Sequence, residues 1–266
     1  MMRALWTAAS GMVAQQLNVD VISNNLSNVN TTGYKKERVE FKDLLYQTLE
    51  RAYVLDGQGK PVNLQVGFGV MPVATVRDFG TGNLEQTENP LDLAIDGDAF
   101  FMVTGPTGQT QYTRDGSFKI SVGEEGNKLV TADGYPVLDD MGNEIILTVD
   151  PSKLTISSSG ELGYTDENGV ATSLGQFIGL VKFPNRDGLE STGRNLYSET
   201  SASGAPVNDA EMGDRSIIDQ GFLEGSNVQT VEEMVKLIVA QRAYEISSKA
   251  IQSSDEMLGI ANNLKR

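Results

Sequence analysis

The residues best suited to chemistry are two acidic groups, Asp96-Gly97-Asp98 and Asp139-Asp140. Two carboxyl groups held across a glycosidic bond can act as the acid and base of sugar hydrolysis. An Asp-Gly pair between alternating strands is equally turn chemistry, and a hairpin tip carries solvated acids without any reaction. The spacing favours the turn. The run Asp139-Asp140-Met141-Gly142-Asn143-Glu144 offers oxygens to calcium but departs from the EF-hand spacing. Gly67-Phe68-Gly69 meets Pro72 where a dinucleotide fingerprint needs its third glycine, and Gly59-Lys60 runs into Pro61 instead of a Walker sequence. The chain has no Cys and no His, which excludes disulfides, thiol nucleophiles, Cys/His zinc sites and Ser-His-Asp triads. No catalytic, metal or cofactor site is expected, and no small-molecule substrate.

Charge narrows the partners. The 266 residues carry 21 Lys plus Arg against 36 Asp plus Glu, a net charge of −15, so a nucleic-acid partner is not expected. At 39% hydrophobic residues the chain can bury a real core. It contains no run of about 18 apolar residues. Arg3-Ala4-Leu5-Trp6 opens like a signal peptide, but Thr7, Ser10 and Gly11 interrupt it and the helical pattern continues to Leu26. No cleaved signal is expected.

The elements that would position these residues differ between the ends and the middle. All eight Pro lie between Pro61 and Pro206, and five Asp-Gly pairs lie between Asp56 and Gly188, joined by Asn168-Gly169. Between such turns Leu91, Leu93 and Ile95 alternate, as do Phe118, Ile120 and Val122, then Ile145, Leu147 and Val149, then Leu154 and Ile156. That pattern predicts a central antiparallel β domain. At the N-terminus Leu5, Met12, Val19 and Leu26 recur every seven residues, a narrow helical seam for another helix. Asn24, Asn25, Asn28 and Asn30 with Gly33 form a helix-end motif, their side chains expected to bond backbone where the helix meets an extended segment.

The C-terminus repeats the theme. Thr230-Val231-Glu232-Glu233 reads as a capping box for a helix starting near Asn227. Leu237, Tyr244, Ile251 and Leu258 recur every seven residues, accompanied by small Ala240, Ser247, Ser254 and Ala261, with Lys265 and Arg266 at the negative end. A small-residue track lets a neighbouring helix come close. Trp6, the only Trp, is expected to anchor the interface with these seam residues. The fold class is therefore α+β: terminal helices forming a coiled-coil-like assembly core, an extended β segment and a central antiparallel β domain. The expected division is 1–30 plus 227–266, 31–90 plus 200–226, and 91–199.

These residues resemble a known family. Ala9-Ser10-Gly11-Met12 and the run from Asp20 through Asn24-Asn25-Leu26 to Gly33-Tyr34 are similar to the N-terminal signature of bacterial flagellar rod and hook proteins. Glu224-Gly225-Ser226-Asn227-Val228 and Ala240-Gln241-Arg242-Ala243-Tyr244-Glu245 are similar to the matching C-terminal signature. Asn89-Pro90-Leu91-Asp92, Tyr112-Thr113-Arg114-Asp115-Gly116 and Ala132-Asp133-Gly134-Tyr135 fit between them. Asp43-Leu44-Leu45-Tyr46-Gln47-Thr48 and the segment up to Gln65-Val66-Gly67-Phe68 look most like the distal rod branch, although Leu49-Glu50-Arg51-Ala52-Tyr53 lacks that branch's usual Pro-Gly.

The resemblance implies a structural subunit, not an enzyme, that polymerises with itself into a helical drive shaft carrying torque to the hook. The implied partners are proximal rod proteins, the hook protein, surrounding ring (bushing) proteins and the flagellar export apparatus. The implied location is the periplasm-spanning rod of the basal body, reached by export without a cleaved signal. The competing readings are a hook or proximal rod protein and a carboxylate-based cell-wall hydrolase.

Overall fold

The computed structural model describes residues 2–55, 58–60, 62–123, 126–147, 153–165, 171–211 and 215–263. Asp56-Gly57, Pro61, Val149, Asn168-Gly169, Lys265 and Arg266 lie outside the described residues. The class is α+β, and the chain divides into two compact units. One holds Met1–Ser27, Glu37–Val76 and Gln229–Arg266; the other holds Asn28–Lys36 and Arg77–Val228.

In the first unit, helix α1 (Met2–Ser27) packs along helix α2 (Thr230–Asn263). α1 stops where Asn28, Val29 and Asn30 form a turn. α2 opens with Glu232 and Glu233 in its first turn, the favourable end of the helix dipole for acids. It begins three residues later than the sequence suggests. Asn227 spends its side chain elsewhere, accepting from the Lys36 N–H at 2.8 Å and donating to the Asp78 carbonyl at 2.8 Å. The expected capping box is also redirected, because the Glu233 carboxylate bonds Asn25 and Lys236. An arm of paired strands completes this unit: Glu37–Asp43 with Val70–Arg77, Tyr46–Glu50 with Leu64–Gly67, and Tyr53–Leu55 with Gln58–Lys60.

The second unit is β-rich and antiparallel. Its six-stranded sheet runs in the order Glu190–Gly193, Leu196–Ser198, Thr110–Thr113, Phe100–Thr104, Leu180–Lys182, Val207–Asn208. The register pairs Tyr112 with Met102 and Thr113 with Phe101. Because strand side chains alternate, neighbouring Phe100 and Phe101 serve different cores. Phe101 joins Leu93, Ile95, Val103, Phe118, Leu129, Ile145 and Leu147, with the Phe118 ring edge-on at 5.0 Å. Phe100 joins Phe79, Tyr112, Phe183 and Tyr197 in an aromatic cluster of edge-to-face rings. Strand Leu93–Asp96 pairs with Ile217–Gln220, and Leu84–Gln86 pairs with Phe222–Glu224. The alternation Phe118, Ile120, Val122 fades along its hairpin. Phe118 is buried, whereas Val122 near the tip is 83% exposed, because among the described residues little packs over that end.

Candidate functional site

Two features stand out, one in each unit. In the helical unit a Cβ on Gly11 of α1 would sit 3.4 Å from the Ser247 hydroxyl of α2, so the small-residue track faces the partner helix of the same chain. Ala240 and Ser254, one heptad to either side of Ser247, are buried. Ser247 and Ser254 return their hydroxyls to the carbonyls of Ala243 and Ala250 at 3.0 and 2.8 Å, satisfying themselves within α2. Of the sequence-predicted seam, Leu5, Met12, Val19, Leu26, Leu237 and Ile251 are half-buried along the helix pair. Tyr244 and Leu258 are exposed at its border, and Trp6 is 71% exposed. A groove of about 420 Å³ opens among Gln16, Val19, Gln241, Tyr244 and Glu245.

The outer side of α2 is unusual for a lone helix. Val235, Ile238, Val239, Ile246 and Ile260 are each 55–68% exposed. Such a helix, apolar on more than its packed face, is suited to further helices around it.

The helix-end motif is built around Asn25, which is buried. Its amide pairs with the backbone of Glu37, accepting from the N–H at 2.9 Å and donating to the carbonyl at 2.8 Å. It also donates to Glu233 Oε2 at 3.2 Å, joining the end of α1, the start of the strand arm and the first turn of α2. Asn28 Oδ1 accepts from the Thr31 hydroxyl at 3.2 Å, while Asn24 and Asn30 lie on the exposed side. Gly33 has φ +65°, and a Cβ there would sit 2.7 Å from the Asp115 nitrogen, so only glycine fits.

The second feature was not anticipated. Lys35, Arg114 and Glu224, all at most 1% exposed, meet in the interior of the β unit. Lys35 Nζ donates to Glu224 Oε1 at 2.5 Å and to the Gly80 carbonyl at 2.8 Å. Arg114 reaches Glu224 Oε2 at 3.4 Å and the Gly97 carbonyl at 2.7 Å, and its guanidinium lies 5.0 Å from the Phe100 ring centroid. The Gly82 N–H also donates to Glu224 Oε1, at 2.8 Å. Two cations thus share one carboxylate. Burial, reinforced by Arg114, lowers Lys35 to about 8 against the pull of Glu224 and Asp78. Each partner lies in or next to a quoted motif: Lys35 follows Gly33-Tyr34, Arg114 sits within Tyr112-Thr113-Arg114-Asp115-Gly116, and Glu224 opens its run. That coincidence was the available signal.

Asp139 takes the turn role, whereas Asp96-Gly97-Asp98 lies at a bend between strands that pair in different sheets and not at a hairpin tip. Asp139 accepts the N–H groups of Met141 and Asn143 at 2.9 and 2.7 Å, closing its own turn. Asp96 is exposed and Asp98 pairs with Arg186. Among the described residues no group of three or more His, Cys, Asp or Glu could hold a metal. Among them, too, no helix is long and apolar enough to cross a membrane.

The chain carries a two-helix unit with outward apolar rows and a separate β unit, and comparison with known proteins identifies its family. Three family profiles match in chain order: "Flagella basal body rod protein" over residues 5–35, "Flagellar hook protein FlgE/F/G D1 domain" over 94–164, and "Flagellar basal body rod FlgEFG protein C-terminal" over 219–264. The chain belongs to the flagellar basal-body rod protein family. It is 51% identical to the flagellar basal-body rod protein FlgG of Borreliella burgdorferi, with 100% of each chain covered. It is 45% identical to the FlgG protein of Caulobacter vibrioides over 99% of this chain and 100% of that one. To the FlgG protein of Bacillus subtilis it is 40% identical, again over 100% of each. Its role is that of a structural distal rod subunit and not of an enzyme.

Proposed function

We propose that the chain polymerises through its helical unit into a helical rod that transmits torque to the hook. The observation that carries this reading is the row of exposed apolar residues on α2, from Val235 to Ile260, on a helix already packed against α1. Left in water this surface is an aggregation hazard, whereas a repeating head-to-tail contact covers it and builds an open polymer. Leu5, Trp6, Met12, Val19, Leu26, Leu237, Tyr244, Ile251 and Leu258 contribute to the resulting coiled-coil-like assembly core. Residues 31–90 with 200–226 form the connecting layer around it, and 91–199 face the surrounding ring proteins. Proximal rod proteins and the hook protein meet the two ends of the polymer. The subunit reaches this periplasm-spanning position through the flagellar export apparatus without a cleaved signal.

Ile246→Asp tests the reading. The carboxylate is harmless on a solvated monomer but becomes desolvated and unpaired in a packed polymer. Expressed in a strain lacking the protein, the variant should be exported normally yet leave rods and hooks incomplete in electron micrographs. Completed rods at wild-type number would defeat the proposal.

A further inference from the structure

The chain passes between its two units at residues 27/28, 36/37, 76/77 and 228/229. The segments of the β unit beside these crossings are tied to one another. The Gly33 N–H donates to the Glu224 carbonyl at 2.7 Å, and the Gly225 N–H to the Asn83 carbonyl at 2.8 Å. Asn227 bonds the Lys36 N–H and the Asp78 and Gly80 carbonyls. At the centre of these ties lies the Lys35–Glu224–Arg114 cluster, drawn from three segments far apart in sequence. We propose that this cluster is a proton-sensitive clamp on these segments of the β unit, kept overcharged by one cation and tightened when Lys35 gives up its proton.

The argument is physical. A buried carboxylate with one cation and its hydrogen bonds is balanced; a second cation adds desolvation cost and repulsion from Arg114. The Arg114 Nε–H, buried and without a hydrogen-bond partner among the described residues, adds to that cost. A neutral Lys35 amine can still donate to Glu224 and to the Gly80 carbonyl, so loss of the proton removes repulsion without opening the clamp. The charged groups facing Lys35 are Glu224 and Asp78, which favour the proton, and Arg114, which opposes it. With Lys35 near 8 when folded and near 10.5 when unfolded, the unfolded chain holds a proton that the folded chain has released. Stability therefore rises with pH from about 8 towards 10.5. Tyr112, pushed up to about 12 by burial and by Glu199, works in the opposite direction above pH 10, so the window must end before that.

The test is urea unfolding of the full-length monomer from pH 7 to pH 9.5. Near-ultraviolet circular dichroism would follow the cluster containing Tyr112 and Tyr197. The wild-type unfolding constant should fall roughly 30-fold over this range. Lys35→Met lacks the second cation and Lys35→Arg cannot release its proton, so both should be flat. Lys35→Met should match or exceed wild-type stability at pH 7, while amide hydrogen exchange at Gly33, Lys36 and Gly82 quickens. A flat wild-type profile overturns the proposal, as does an equally steep profile in Lys35→Met. If Lys35→Arg fails to fold, the comparison of wild type with Lys35→Met still decides.

Discussion

The β unit hides most of its large apolar side chains, whereas the helical unit displays many of its own. Phe100 and Phe101 are fully buried, while Leu45 on the strand arm is 85% exposed and Ile246 on α2 is 68% exposed. One unit closes its core within a single chain. The other leaves its apolar surface to be covered from outside. The difference separates residues that set the stability of the subunit from those that set the stability of what it builds, and burial tells them apart where composition does not.

Four variants press on that contrast. Phe101→Ala should cost about 3–5 kcal/mol in monomer unfolding, since it removes a buried ring touching Phe118 and opens a cavity in a closed core. Calorimetry on the monomer would show it, and a loss below 1 kcal/mol would mean that the β core is not closed. Ile251→Asp should cost about 2 kcal/mol or more in the helix pair, where Ile251 is half-buried, and should also block rod completion. Completed rods would remove this seam from the assembly interface. Asp96→Asn with Asp98→Asn should cost less than about 1 kcal/mol, the value of a surface ion pair with Arg186, and should leave motility nearly intact. Lost motility with normal folding and export would return these acids to a chemical role. Ile246→Asp should shift monomer stability by no more than about 0.5 kcal/mol. A larger monomer effect would show that α2's outer side is already covered and would dissolve the contrast.

Much of the architecture was legible because two periods differ. Seven-residue recurrence of Leu5, Met12, Val19 and Leu26 marks a helix, and alternation around Asp-Gly turns marks strands, so the α+β division follows from spacing alone. The start of α2 was not legible. Asn227 favours a helix cap by type, yet its amide is used by Lys36 and Asp78, which lie far away in sequence. Val122 lies on a strand as the alternation predicts, but alternation reports which side a residue faces and not whether anything lies opposite, so its exposure was not legible. The charged cluster was invisible to any window. Lys35 and Glu224 are 189 positions apart, and Arg114 is 110 positions from Glu224, so only the folded chain brings them together. Asn25 was legible as a backbone-bonding residue, but its bond to Glu233 was not, for the same reason.

The self-satisfied serines of α2 have a mechanical meaning. Ser247 and Ser254 ask nothing of α1, and Gly11 offers α2 no side chain, so at this point the helices meet on small residues. At one end of the pair Asn25 and Glu233 form a directional tie. That tie sets the axial register of the pair near residue 25, whereas around Gly11 and Ser247 the register rests on close packing of small residues.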